Sequence, residues 1–335
     1  MKKKYKLSTV ALHITYQCSH FCPMCYAGGD DSAKKRQGYP KIEQVKGVLD
    51  NLCQNGIENI SFVGGDPAKY PYILEASKYA NYLGCDLSIL SNTLDFEKNA
   101  IEIANYINAF EGTIHDTTEE LHDSFCNKKG AYSLLTKNLR LFSDMGKRIG
   151  IAINITPFTY DKIFIMIENI LQKNIKVNYV VLQRIIPFGR ATRSHEYELN
   201  LHQIDVALQN VEKIENMGIG IVFEDPFPMC SVKEQYRHYM HPCEWGLTKV
   251  SVDYEGNLSR CGADPRCTLG NIFSKPLLEI WENADELCEF REKAYLPEKC
   301  QSCKMLDDCG GACPISQTSK DFYSEDYISL LRGEK

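Results

Sequence analysis

The sequence predicts an α/β fold: a partial (β/α)6, TIM-like barrel over residues 1–224, then a small loop-rich domain over residues 225–335. Three observations predict it. Short apolar strands alternate with longer amphipathic segments from about residue 9 to residue 223. Glycines stand where the helices should stop. The least scaffold-like residues fall at the C-terminal ends of the predicted strands, where barrel-type sheets carry their chemistry.

The strand signals are Val10–Thr15, Asn59–Val63, Cys85–Leu90, Ala109–Ile114, Arg148–Ile155 and Val177–Arg184. Each is short, rich in Val, Ile or Phe, and bounded by turn residues. Helical segments separate them at Ile42–Asn55, Pro71–Leu83, Asp95–Tyr106, Ala131–Met145 and Asp161–Lys173, and Leu201–Met217 follows the last strand. Gly56, Gly84, Gly146 and Gly218 sit at helix ends as stop signals. Regular βα alternation implies a parallel sheet with right-handed crossovers. At Glu224 the run E-D-P-F-P-M-C breaks the alternation, and cysteine and loop content then rise, which places a boundary near residue 225.

Hydrophobic residues make up 44% of the 335 positions and charged residues 24%, values of a soluble globular protein. The net charge of −6 supplies no field to draw the chain to nucleic acid. Lys2, Lys3, Lys4 and Lys6 read as a solvated terminus. No secretory signal precedes the first cysteines, and no window reaches the ~18 apolar residues of a membrane span. A cytoplasmic protein without membrane partners is expected. Fifteen cysteines in that compartment predict metal binding or catalysis rather than disulfides.

After the first strand comes C-S-H-F-C-P-M-C, which places Cys18, Cys22 and Cys25 on one loop with C-x3-C-x2-C spacing. Thiolates select iron–sulfur clusters, zinc or copper(I). A closed zinc site wants four ligands, so a zinc loop would recruit His13 or His20. The other reading is a deliberately vacant position. The spacing resembles that of the radical S-adenosylmethionine (radical SAM) enzymes. The resemblance implies a 4Fe–4S cluster on Cys18, Cys22 and Cys25, with an open iron that binds S-adenosylmethionine. One electron, from a flavodoxin- or ferredoxin-type donor, then cleaves the cofactor to a 5′-deoxyadenosyl radical that takes hydrogen from a substrate.

Gly64-Gly65-Asp66-Pro67 resembles the G-G-E-P motif of that family, with Asp in place of Glu. The resemblance places these four residues at the methionine amino group of the cofactor, where glycines allow close backbone approach. Met24 occupies the position of an aromatic residue near the adenine, and Tyr26 follows the third cysteine. Ser91, Asn92 and Asn154 match positions that touch the methionine carboxylate or ribose, and each reads equally as a satisfied strand-end residue. His115, Asp116, His122, Asp123 and Gly130 resemble a stretch of related maturases and read as loop-ordering before catalytic. Asp116, Asp123 and Tyr160 are the candidates for acid–base work.

The second cysteine group begins with Cys243, Gly256 and Cys261 and continues with Cys300, Cys303, Cys309 and Cys313 in C-x2-C-x5-C-x3-C spacing. With L-G-N-I-F and L-L-E-I-W between them, it resembles the SPASM domain of peptide-modifying radical SAM enzymes. This implies one or two auxiliary iron–sulfur clusters, the first on Cys243, Cys261 and Cys313, the second on Cys300, Cys303 and Cys309. The family's seventh cysteine has no counterpart after Cys313 in this sequence. The second cluster is therefore expected to use Asp307, Asp308 or Asp321, to keep an open iron, or to be absent. Cys230 and Cys267 are candidates for a fourth ligand at the first, and Cys288 reads as a buried helix residue. A zinc ribbon uses similar pairs. A segment this rich in loops should need its metal as a staple.

The expected function is radical modification of a ribosomal peptide or protein, giving a thioether or carbon–carbon crosslink or another altered side chain. Alternatives are sulfatase-type formylglycine formation, small-molecule oxidoreduction, and a zinc-stabilised binding or scaffold protein. The N-terminal extension that holds a leader peptide in many maturases has no counterpart before the first strand. A separate leader-peptide recognition protein or leader-independent binding is expected.

Overall fold

The computed structural model describes residues 5–28, 38–92, 99–185, 188–191, 195–263 and 268–315. Thr93, Cys267, Asp321 and the start of the helix predicted from Asp95 lie outside the described residues. One ten-stranded sheet runs in the order β10-β9-β8-β1-β2-β3-β4-β5-β6-β7. Its strands are β1 (Thr9–Thr15), β2 (Asn59–Gly64), β3 (Asp86–Leu90), β4 (Ala109–Ile114), β5 (Arg148–Ile155), β6 (Tyr179–Arg184), β7 (Gly220–Phe223), β8 (Lys249–Asp253), β9 (Asn257–Ser259) and β10 (Thr268–Asn271).

From β1 to β7 every neighbouring pair is parallel and consecutive in the chain. This is the arrangement of a barrel wall. The wall ends at β7 and, beyond β8, at β10, so the ring is not closed among the described residues. Central strands such as β1 are buried along almost their whole length, because both faces of a parallel sheet are covered. The six predicted strands and six predicted helices are all present. Sequence reading missed β7 and the short helix Glu119–Phe125, whose first turn is capped by Thr118 Oγ1 accepting from Leu121 N–H at 3.3 Å.

The helices lie on the sheet through apolar stripes. In Ile42–Gln54 the buried positions Val45, Val48, Leu49 and Leu52 follow the i, i+3, i+4, i+7 rule. Each such side chain contributes roughly 1.5–3 kcal/mol on burial. Gly56, Gly84, Gly146 and Gly218 all adopt positive φ just past a helix end.

The composition break at residue 225 is not a break in the sheet. β8 pairs in parallel with β1, from Thr9↔Lys249 to His13↔Asp253. Val250, Val252, Leu258, Ile272, Leu277, Ile280, Trp281 and Leu287 join the same apolar core as the first strands. Trp281 also donates its indole N–H to the Tyr5 carbonyl at 2.9 Å. The C-terminal region therefore packs far better than its loop content suggested. Its last part is held more thinly: the short helices Glu298–Gln301 and Leu306–Cys309 have no fully buried side chain, although Met305 and Cys309 pack against the core and Ala312, Cys313 and Ile315 are buried.

Candidate active site and cluster-binding loops

The C-terminal ends of the parallel strands surround a cavity of about 460 Å3. Cys18, Cys22 and Cys25 form one wall, on the loop between β1 and the 3-10 turn Tyr26–Gly28. Two neighbouring loops hold that wall in place. From β2, Gly65 N–H donates to Thr15 O at 2.9 Å and Asp66 N–H to Gln17 O at 2.7 Å. A Cβ at Gly64 would fall on Thr15 O, and one at Gly65 would fall on Gln17 O. The glycines are thus demanded first by backbone approaching backbone, a reason separate from ligand approach. From β6, Arg190 Nε donates to Cys22 O at 2.7 Å and Arg190 N–H to Cys25 O at 3.1 Å. The Arg190 guanidinium lies 4.3 Å from the centre of the Phe21 ring. Gly189, at φ +62°, approaches Cys25 O and Tyr26 O so closely that no side chain fits.

The sulfurs themselves have donors around them. His20 N–H reaches Cys18 Sγ at 3.4 Å, Asn92 Nδ2 reaches the same sulfur at 3.6 Å, and His115 Nε2 lies 3.9 Å from Cys22 Sγ. Burial pushes the Cys18 thiol up to about 12 and the Cys22 thiol higher still, while the charge of Arg190 opposes both shifts. Buried thiolates of this kind need a cation to stay ionised. Among the described residues no three His, Cys, Asp or Glu side chains close on a point as a single ion requires. A cubane is instead gripped at separate corners, and three thiols facing one cavity with room beside them fit it.

The other predicted cofactor residues divide in two. Met24, Tyr26, Gly64, Gly65, Ser91, Asn92 and Asn154 line the cavity. Asp66 and Pro67 are not among its lining residues. Asp66 is buried and caps the turn Pro67–Lys69, accepting Ala68 N–H at 3.0 Å and the Ser91 hydroxyl. It ties the β2 loop to the β3 loop. The acid–base candidates Asp116, Asp123 and Tyr160 are not lining residues either. Asp116 accepts Thr117 N–H at 2.7 Å and pairs with Lys162 at 3.3 Å. Asp123 accepts the N–H groups of Gly130 and Tyr132, which starts the following helix. Tyr160 packs against the apolar core. His115 and His122 do line the cavity, and burial pushes both below the usual histidine range, His122 to about 4.

Sequence reading missed the polar floor. Glu111 of β4 is only 8% exposed, and burial beside Glu224 pushes its carboxyl up to about 8, with Lys249 opposing. Gly150, its β5 partner, leaves room for the ring of Tyr179 from β6 to lie across the strand. Asp225 is pushed up to about 7 by burial and by Glu224, and it accepts from the Cys313 thiol. Lys249 bridges Glu244 at 2.7 Å and Glu224 at 3.5 Å. A glutamate inside an apolar strand was the available signal for Glu111. Glu224, Asp225 and Lys249 meet only through the pairing of β8 with β1, which no local pattern reveals.

Cys243, Cys261 and Cys313 gather at the edge of the same cavity, where Cys261, Gly262 and Ala263 form part of the lining. Burial raises the Cys243 thiol well above its usual value and the Cys261 thiol to about 12. Cys300, Cys303 and Cys309 gather elsewhere, on two short helices and the link between them. Cys230, a sequence candidate for the first set, stands with the second. Cys288 is half-buried rather than buried.

The family models agree with this layout. The Radical SAM superfamily matches residues 12–182, and the iron–sulfur cluster-binding SPASM domain matches residues 243–304. The chain is 23% identical to the Fe-coproporphyrin III synthase of Methanosarcina barkeri, over 92% of this chain and 83% of that one. It is also 23% identical to the subtilosin biosynthesis protein AlbA of Bacillus subtilis, over 97% and 72%. The structure of Streptococcus suis SuiB bound to its precursor peptide SuiA superposes with a TM-score of 0.75 at 17% identity, over 93% and 72%. With a cysteine loop, a cofactor cavity and auxiliary cysteines all in place, this chain belongs to the radical SAM superfamily, carries a SPASM domain, and binds a 4Fe–4S cluster, auxiliary clusters and S-adenosylmethionine.

Proposed function

We propose that the chain is a radical SAM oxidoreductase that modifies a ribosomal peptide or protein, forming a thioether or carbon–carbon crosslink or altering a single side chain. When bound, the first cluster and S-adenosylmethionine supply the one-electron chemistry that removes a hydrogen atom from the substrate. The chain's own residues do the rest. Gly64, Gly65, Ser91, Asn92 and Asn154 offer backbone and polar contacts to the cofactor. Glu111, held largely protonated by burial near neutral pH, can give or take a proton on the substrate side. Cys243, Cys261 and Cys313 would hold the first auxiliary cluster, which would supply an electron acceptor or a ligand for the substrate at the cavity edge. A flavodoxin- or ferredoxin-type donor, a separate leader-peptide recognition protein and a cytoplasmic setting complete the proposal.

The charge of the cavity carries the choice of substrate. Its carboxylates are Glu111, Glu224 and Asp225. Its cations among the described residues are Arg184, Arg190 and Lys249, and each is already bonded to protein oxygen. With Glu111 largely protonated and each of these cations already engaged, such a lining suits peptide backbone and neutral side chains. An iron coproporphyrin, the product named for the Methanosarcina relative, carries carboxylates that would have to take these cations from their protein partners at a cost. The test is turnover of S-adenosylmethionine to 5′-deoxyadenosine, with dithionite, in the presence of synthetic peptides encoded beside the gene or of iron coproporphyrin. A peptide product lighter by a pair of hydrogens supports the proposal. A decarboxylated porphyrin with every peptide unchanged overturns it.

A further inference from the structure

We infer that Cys230 is the fourth ligand of the second auxiliary cluster, completing a four-thiolate site with Cys300, Cys303 and Cys309. Cys230 lies about 70 residues before the C-x2-C pair, outside the spacing by which the other ligands are recognised. The fold brings it back. It sits on the 3-10 turn Met229–Ser231, and the adjacent Met229 N–H donates to Cys309 Sγ at 3.4 Å. The thiols whose charges act on Cys230 are those of Cys309, Cys300 and Cys303.

The turn that carries Cys230 is fixed. Ser231 Oγ donates to Pro228 O at 2.7 Å, and Arg237 Nε donates to Met229 O at 3.2 Å. Met229 and Val232 on either side are buried, so the thiol between them is presented on a rigid base. Neither described aspartate near the three later cysteines is buried toward them. Asp307 is paired with Lys293 at 2.9 Å with its side chain fully in solvent, and Asp308 is exposed. Two further facts suit a ligand. A thiol open to solvent on one side is an oxidation liability unless it is engaged. The helices bearing Cys300 and Cys309 have no fully buried side chain, so a metal crosslink would add to what holds them. On binding, the Cys230 S–H bond breaks, its proton passes to water, and the sulfur bonds to iron with no change in oxidation state.

The inference rests on the cofactor content of the proposed enzyme and not on its substrate. It is tested on the full chain, reconstituted anaerobically, by iodoacetamide labelling and peptide mass mapping before and after chelation of iron. Neither substrate nor reductant enters the assay, so a failed peptide assay leaves its result unaffected. The expected result is that Cys230 labels at least ~10-fold more slowly in the loaded protein than after chelation, together with Cys300, Cys303 and Cys309. Equal labelling of Cys230 in both states, whether or not the other three are protected, overturns it. Cys230→Ala supplies a second reading. Iron per chain should fall from about 12 atoms, for three 4Fe–4S clusters, by between one and four. An unchanged iron count would contradict the inference.

Discussion

Arg190→Ala should loosen the first cluster without unfolding the protein. The side chain makes one hydrogen bond from a charged donor to Cys22 O, 2.7 Å long, and one stacking contact on Phe21, 4.3 Å to the ring centre. A hydrogen bond from a charged group is worth about 1.5–3 kcal/mol and an exposed cation–π contact about 0.5–1 kcal/mol. Together they hold the cysteine loop closed by about 2–4 kcal/mol, or about 30- to 700-fold in the opening equilibrium. The backbone bond from Arg190 N–H to Cys25 O survives the substitution, so the strand-six loop stays in register. Arg190 also favours the thiolates of Cys18 and Cys22, which adds in the same direction. The assay is the rate at which a chelator removes iron from anaerobically loaded protein, followed by absorbance, with circular dichroism as the control for folding. Arg190→Lys should fall between wild type and Ala, because it keeps the charge and loses the planar donor geometry. Wild-type iron loss in Arg190→Ala would refute the clamp.

Four further outcomes are expected. Gly65→Ala should lower the thermal stability by about 1–3 kcal/mol, the usual cost of overpacking, and weaken S-adenosylmethionine binding in equilibrium dialysis, because its Cβ meets Gln17 O and Tyr16 O; unchanged affinity would detach the β2 loop from the cofactor site. Glu111 has a folded pKa near 8, above its unfolded value of 4.5, so the folded state holds the extra proton. Its contribution should be complete below pH 4.5 and be lost as pH rises through about 8; Glu111→Gln should flatten that slope in denaturation midpoints, and an identical slope would refute the shift. Replacing Cys18, Cys22 and Cys25 together by Ala should abolish 5′-deoxyadenosine formation and leave the auxiliary iron bound, as measured by iron analysis and product chromatography. Anaerobic chelation should expose residues 298–309 to limited proteolysis before the sheet is cut, since the two helices there have no fully buried side chain; protection that survives chelation would mean the segment is held without metal.

How much of this was legible beforehand depended on the range of the contacts. Strands and helices of the barrel wall announce themselves within a few residues, through apolar periodicity and terminal glycines, and they lie where the sequence places them. The cysteine loop and Gly64-Gly65 are equally local, and both reach the cavity. Asp66 shows the limit of a motif: the pattern marks the right loop, yet the carboxylate serves Ala68 and Ser91 in its interior. Asp116 and Asp123 were readable as loop-ordering groups because Asp ahead of a helix or turn commonly accepts backbone N–H groups. The floor of the cavity was not readable. Glu111, Tyr179, Glu224 and Lys249 come from four different parts of the chain, and only sheet order makes them neighbours. Cys230 was readable as a spare ligand but assigned to the first set, because only a return of the chain places it beside the second.

The pairing of β8 with β1 separates the duties of the two auxiliary sites. Because β8 pairs with β1, the chain that returns through β9 sets Ser259 level with Ser251 and so with Ala11, and brings Gly262 against the side chain of His13. There Gly262 abuts His13, whose Nε2 lies 2.5 Å from where a Cβ would stand, so the wall between β1 and the first auxiliary cysteines is as thin as backbone allows. Cys261, Gly262 and Ala263 therefore face the same space as Cys18, Cys22 and Cys25. The second set contributes nothing to that lining, and its members range from half-buried to exposed. Among the described residues, the first set alone contributes to the cavity lining, and the second lies nearer solvent. When loaded, the first set would put a cluster beside the cavity and the second a cluster nearer the surface, and the pairing of β8 with β1 is what brings the first to the cavity.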